Sequence, residues 1–346
     1  MPRKRYVREA FQLEHPVSAG WPARVCYDAR SVVLRIHRDV AGDRMVCQRT
    51  LKNVIRATGV GLHSGERVYL TVRPAPQDSG IQFVRTDLHP PVAIPAAVDC
   101  VVDTVMATTL GMDGVRVATV EHLMAAFAGL AIDNAQVEVS SEELPIMDGS
   151  AAPFVFLLQS AGVIDQPAPR RFLRILREVV HAAGDASARL VPHDGLRLDY
   201  TLEYDHPVFR RHSHHATVEV CPTSFIKEIS RARTFGFLAD YERLKRLNLA
   251  RGGSLDNAVV VDDEGIMNRE GLRLEDEFVK HKILDALGDL YLVGHPVLGA
   301  FIGQRSGHTI NNGLLRRLLA DHRNYELVTA VPEAETAPGE LSPAAF

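Results

Sequence analysis

The sequence predicts an α+β protein made of two related halves that face each other across a cleft. Three observations carry this expectation. The length of 346 residues sets a prior of about two domains. Strand-like alternation followed by a helix-period segment occurs twice, in similar order. His122–Gly129 and His281–Gly288 each place a glycine seven residues after a histidine, so each half would offer one helix-borne imidazole. A cleft between such halves is a natural place for a ligand.

The expected organisation follows composition along the chain. Residues 1–45 mix basic residues, aromatics and prolines without a sustained period, and form an N-terminal extension or reflect a start set too early. The first α+β domain spans 46–164. Residues 165–171, with Pro167 and Pro169, read as a linker. The second domain spans 172–330, with an insertion near 248–263. The tail over 331–346, rich in Pro, Glu and Ala, is expected to be mobile.

Within the first half, Arg49–Ile55 and Arg67–Pro74 alternate as strands do. The glycine-rich stretch Gly59–Gly65 between them is expected to close a hairpin. A strand rather than a helix follows it, which argues against a dinucleotide fingerprint. Thr119–Gly129 reads as a short helix, capped by Thr119 and ended by Gly129. Asp133–Val139 is strand-like. Pro153–Ala161 is a helix with Phe154, Phe156, Leu157 and Leu158 as apolar surface.

The second half opens with strands over Phe172–Val180 and Leu196–Tyr204. A helix is expected around Ser224–Ala232, and a short β run at Ala258–Val261 inside the insertion. The long helix from about Glu275 to Leu292 begins with three acidic residues, which suit a helix N-terminus. Leu298–Ile302 is strand-like, His308 is expected in the following loop, and the last helix runs Asn312–His322.

Composition excludes several classes. Apolar residues make up 46% and charged residues 24%, enough for a sizeable soluble core. The net charge of −4, with both signs interspersed, argues against a nucleic-acid partner. Cys26, Cys47, Cys100 and Cys221 form no C-x-x-C pair, so neither a zinc knuckle nor a disulfide framework is expected. A reducing, cytoplasmic compartment fits. No apolar run approaches the ~20 residues of a transmembrane segment, and no apolar stretch follows Met1-Pro2-Arg3-Lys4-Arg5 as a signal peptide requires. His212, His214 and His215 look like a metal tract but lie in a polar, turn-like stretch and read as a solvated loop.

The chemistry concentrates elsewhere. At about 100° per residue, His281, Asp285 and Asp289 share one stripe of a helix, with Ile283, Leu284 and Leu287 opposite. An imidazole and a carboxylate at i, i+4 reach one cation together. His122 from the first half would complete a His₂Asp set, leaving a fourth position open. Glu121 beside it would then accept a proton from water, in metal-assisted hydrolysis. Its bland reading is a carboxylate favoured by the helix dipole. His308, if paired with Asp289, would be held as an imidazolium able to stabilise an oxyanion and protonate a leaving amine. Its bland reading is a helix cap.

Six segments together resemble the UDP-3-O-acyl-N-acetylglucosamine deacetylases, zinc enzymes of lipid A biosynthesis. They are Thr58-Gly-Val-Gly-Leu-His-Ser-Gly65, Thr119-Val-Glu-His-Leu123, Pro145-Ile-Met-Asp-Gly-Ser-Ala-Ala-Pro153, Arg231-Ala-Arg-Thr-Phe-Gly-Phe237, His281-Lys-Ile-Leu-Asp285 and Ser306-Gly-His-Thr-Ile-Asn-Asn312. The resemblance covers about Gln48 to Leu319. It implies two similar two-layer sandwich domains, each with a small insertion, enclosing the site.

The resemblance also implies roles. His122, His281 and Asp285 correspond to the Zn2+ ligands, a set that suits Fe2+ as well. Glu121 corresponds to the general base. His308 corresponds to the charged partner held by Asp289, and Thr234 to the donor for the oxyanion. Lys282 corresponds to a lysine near the polar end of the substrate. Phe235, Phe237 and the insertion correspond to the acyl passage. The implied substrate is a UDP-linked, 3-O-acylated glucosamine, and the implied state a monomer. The first 44 residues have no counterpart before the usual family start near Met45. The tail past Ala330 is also unmatched, and too short for the dehydratase domain some relatives carry.

Two other readings are weighed. A metalloamidase acting on another acylated sugar or peptide would need no long apolar channel. A non-catalytic sugar-nucleotide or metal-binding protein would bind without releasing acetate.

Overall fold

A computed structural model describes residues 46–246 and 249–329. The expected extension over 1–45, the tail over 331–346 and Asn248 at the start of the insertion lie outside the described residues. The fold is α+β.

Two main sheets carry the architecture. The first has five strands in the order Ile55–Val60, Arg67–Pro74, Ala135–Val139, Ile81–Arg85, Val92–Pro95. Its pairs are antiparallel except Ile81–Arg85 with Ala135–Val139. Val68, Leu70 and Val72 alternate inward from Arg67–Pro74 while Tyr69 is exposed, the two-residue period of a half-buried strand. The second sheet has seven strands. Val297–Gln304 lies at its centre, paired with Ala186–Val191, Arg171–Ile175 and Leu196–Thr201.

Among the described residues, six α-helices follow in chain order. They are α1 (Glu121–Gly129), α2 (Ala152–Ala161), α3 (Pro222–Ser224, continued by a π-helical turn over Phe225–Ile229), α4 (Leu238–Arg246), α5 (Glu277–Leu290) and α6 (His308–Leu319). The contact between α1 and α5 positions the site. A Cβ on Gly288 of α5 would sit 2.0 Å from the Glu121 carbonyl oxygen, so only glycine lets the helices approach this closely. The glycine echo therefore marks packing. At Gly129 a Cβ would meet the Phe225 ring.

The hairpin at Gly59–Gly65 forms as expected, joining Ile55–Val60 to Arg67–Pro74. Several boundaries differ. The expected strand Arg49–Ile55 is divided, its first part belonging to Cys47–Leu51 and its last residue opening Ile55–Val60. The segment expected to be a linker is largely a strand, Val163–Pro169, paired antiparallel with Cys47–Leu51. Prolines are tolerated there because this ribbon has only two strands. Thr119 does not cap α1. It adopts φ 59°, and its hydroxyl lies 3.2 Å from Glu143 Oε1. The left-handed residue after α1 is Ala131, at φ 57°, not Gly129. The last helix starts four residues early, so His308 is its first residue rather than part of a loop.

Candidate active site

Helix α5 is buried on nearly every side, so its polar stripe faces protein rather than solvent. His281, Asp285 and Asp289 are buried, as are Glu121 and His122 at the start of α1. Packing α1 on α5 brings His122 from 159 positions away in sequence onto the stripe.

His122 Nε2 lies 3.6 Å from Asp285 Oδ1, and His281 Nε2 lies 3.4 Å from the same oxygen. The two imidazoles meet edge to face, with centroids 5.1 Å apart. All three donor atoms fall within 4.8 Å of one another. A tetrahedral centre with bonds of about 2.0–2.1 Å has edges of about 3.4 Å between ligands. The donor set therefore fits a small divalent cation. The surroundings agree. His281 Nδ1 donates to the Ala232 carbonyl at 3.1 Å, which leaves the Nε2 lone pair free to ligate. Burial pushes His281 down to a pKa of about 4, keeping the ring neutral. Burial alone would raise the pKa of Asp285, but His281, Lys282 and His122 hold it well below the usual carboxylate range. Lys282 Nζ donates to the outer oxygen, Oδ2, at 2.6 Å.

Glu121 and His308 sit beside this trio. Glu121 Oε2 accepts the Thr108 backbone N–H at 3.1 Å, and Oε1 lies 3.8 Å from His308 Nε2. Burial raises the Glu121 pKa, although the imidazoles of His308 and His122 oppose it. His308 Nδ1 donates to Asp289 Oδ2 at 2.9 Å. Burial would lower the His308 pKa, but the carboxylates of Asp289 and Glu121 outweigh it and push it up to about 9. Asp289 also accepts from Thr108 Oγ1 at 2.6 Å and from Asn311 Nδ2 at 2.8 Å. The site thus pairs a carboxylate of raised proton affinity with an imidazolium across 3.8 Å.

These groups line a cavity of about 690 Å³ that continues between Phe235, Phe237, Leu238, Tyr241, Leu244 and Val260. Thr234 and Lys282 border the same space. Thr234 is fixed through its backbone, donating to the Gly149 carbonyl and accepting from Val259 N, both at 2.8 Å. Phe235 and Phe237 belong to a short strand paired in parallel with Val259–Val261, which roots the insertion in the cavity wall. Tyr204 and Phe209 stack against both phenylalanines.

All ten residues singled out in the sequence meet here. Asp289 stands behind the wall, joined to it through His308, and the other nine line the cavity. The histidine tract does not join them. His215 pairs with Asp199 at 3.0 Å, and His212 packs on the Phe278 ring. Among the described residues, His122, His281 and Asp285 are the one cluster with metal-holding geometry. Three contributors escaped the sequence reading: Thr108, Asn311 and the Ala232 carbonyl. Thr108 and Ala232 act wholly or partly through backbone atoms, which leave no residue-type signature.

Comparison with known proteins identifies the family. A family model described as UDP-3-O-acyl N-acetylglycosamine deacetylase matches residues 48–320. The chain is 59% identical over 294 residues to the UDP-3-O-acyl-N-acetylglucosamine deacetylase of Chromohalobacter salexigens, covering 85% of this chain and 97% of that protein. It is 60% identical over 294 residues to the protein of that name from Marinobacter nauticus, covering 85% and 96%. The corresponding Alcanivorax borkumensis protein is 59% identical over 285 residues, covering 82% and 94%.

Proposed function

The chain belongs to the UDP-3-O-acyl N-acetylglycosamine deacetylase family, and from that premise we propose that it hydrolyses the N-acetyl group of a UDP-linked, 3-O-acylated glucosamine at a zinc centre held by His122, His281 and Asp285. It is a metal-dependent amide hydrolase of lipid A biosynthesis. The observation that carries the site assignment is the single Asp285 oxygen lying 3.6 and 3.4 Å from two imidazole nitrogens. Iron(II) suits the same donors.

A cation held there supplies Lewis acidity, which acidifies water and polarises the amide carbonyl. The chain's own groups do the rest. Glu121, made more basic by burial, takes a proton from the attacking water. The water oxygen bonds to the carbonyl carbon. His308 and the Thr234 hydroxyl donate to the oxyanion that develops. The C–N bond then breaks, a proton passes to the nitrogen from the His308 side, and acetate and free amine separate. Asp289 keeps the His308 ring aligned and charged. Lys282 offers positive charge to the polar end of the substrate, and Phe235 and Phe237 border the acyl chain.

Metalloamidase action on a short amide is the weaker reading, because a cavity of about 690 Å³ with Phe235, Phe237, Leu238 and Val260 in its wall adjoins the site. We place the enzyme in the cytoplasm as a monomer with two α+β domains, 46–164 and 172–330. Cys100 and Cys221 are free, and no described helix is long and apolar enough to cross a membrane. The deciding experiment is acetate release from the 3-O-acylated UDP-sugar, with chelator and with Zn2+ restored. Release that survives complete metal removal would reject the metal mechanism. Equal turnover of acylated and de-acylated sugars would reject the acyl passage.

A further inference from the structure

Glu277 continues the functional stripe of α5 one turn toward its N-terminus, giving the column 277, 281, 285, 289 at a spacing of four. It is 0% exposed, and its partner Arg233 is 1% exposed. Glu277 Oε1 accepts both the backbone N–H of Arg233, at 3.0 Å, and its Nε–H, at 2.8 Å. Glu277 Oε2 accepts Arg233 Nη2 at 3.2 Å and the Arg273 backbone N–H at 2.6 Å. Arg233 completes its set with the Gly271 carbonyl at 2.7 Å and Glu270 at 3.2 Å. Neither residue touches the cavity.

Their neighbours connect them to it. Ala232, before Arg233, supplies the carbonyl that accepts His281 Nδ1–H. Thr234, after Arg233, borders the cavity. Segment 232–234 is thus bonded to α5 at two points one helical turn apart, Glu277 and His281. The four residues 277, 233, 232 and 281 close a loop of hydrogen bonds and covalent links. A planar guanidinium gripped in two places by one carboxylate fixes the backbone in register and orientation more tightly than a greasy contact would.

We infer that the Arg233–Glu277 pair is a positioning pair for the metal centre: it holds the Ala232 carbonyl where it selects the Nδ1–H tautomer and ring orientation of His281, and aligns Thr234 beside it. This inference rests on the metal-centre assignment above. A buried ion pair kept only for stability is replaceable by apolar residues of similar volume, often without loss. A pair kept for geometry is not.

Two variants of the full chain separate these roles. R233K keeps the charge and loses the fork. The double variant R233M/E277L removes both charges together. Positioning predicts that a variant which folds binds zinc about 10–100-fold more weakly in chelator competition. It also predicts loss of the single Nδ1–H tautomer of His281 in the metal-free protein, read by long-range ¹⁵N–¹H NMR. Unchanged zinc affinity and an unchanged tautomer in a folded variant would overturn the inference.

The unmodified protein provides an independent test, because coupling is reciprocal. If the pair positions His281, loading zinc slows hydrogen exchange of the Arg233 Nε–H. Zinc binding with no change in that exchange rate would also overturn the inference. Failure to bind zinc at all would instead reject the metal assignment, and the tautomer of the metal-free protein would still decide the positioning role.

Discussion

Thr108 bonds Asp289 through its hydroxyl at 2.6 Å while its backbone N–H bonds Glu121 at 3.1 Å. One buried residue thus ties the proposed base to the carboxylate behind His308. Thr108→Val keeps the backbone bond and removes the hydroxyl. Leaving a buried carboxylate oxygen short of a donor costs about 1–3 kcal/mol. With one hydrogen bond fewer, the Asp289 carboxylate favours the His308 imidazolium more strongly, so the alkaline limb of the pH–rate profile should move up. Thermal unfolding and a pH profile test this, and an unchanged melting temperature would count against the bond's importance.

The pH dependence of His308 has a definite sign. Its folded pKa is raised to about 9 from 6.5. A group raised on folding contributes stability fully below the unfolded value and loses it as pH climbs through the folded one. In metal-free protein, the His308 contribution is thus present below about pH 6.5 and gone above about pH 9. Its size is at most about 3 kcal/mol. A cation in the adjoining site repels the imidazolium, so the limb for loaded enzyme should lie lower. His308→Ala should abolish the limb in both forms. A limb that persists in His308→Ala belongs to another group.

Glu121 and Asp285 should separate cleanly by metal content. Glu121→Ala should retain one equivalent of zinc while turnover drops 10²–10⁴-fold, the usual size of a general-base contribution. Asp285→Ala removes a ligand and should lose metal during dialysis. Metal analysis beside acetate release reads both. Zinc lost from Glu121→Ala would contradict its assignment as a base outside the ligand set.

The parts of this site that were legible in the sequence are those written in local geometry. His281, Asp285 and Asp289 could be aligned because helical period is a short-range property. Glu277 lies on the same stripe, yet an acidic residue in a first turn is already explained by the helix dipole, so its burial against Arg233 went unread. Thr108 could not be found that way. Its partner Asp289 is 181 positions distant, and nothing in a threonine distinguishes a strand-end hydroxyl that bonds a carboxylate. Residues 165–171 misled for a related reason. Proline reads as a breaker locally, and only the pairing with Cys47–Leu51 makes the segment a strand. Thr119 illustrates the same limit. Its sequence position suggested a cap, but tertiary contact with Glu143 took its hydroxyl.

The acyl passage can be tested by filling it. Val260 lies between Val259 and Val261, which are buried in the core, while Val260 itself lines the cavity. Strand alternation sends its side chain opposite to theirs. Val260→Trp therefore adds bulk to the cavity of about 690 Å³ while leaving the core valines in place. Each methylene that loses its apolar contact forfeits about 0.8 kcal/mol of burial. Four displaced methylenes then cost about 3 kcal/mol, a loss of about two orders of magnitude in binding. The penalty falls only on substrates long enough to reach Val260. kcat/KM should accordingly drop about 100-fold for a long 3-O-acyl chain and change little for a short one. If both substrates lose activity equally, the substitution has disturbed the centre itself. If neither does, the chain runs elsewhere and Val260 does not border its path.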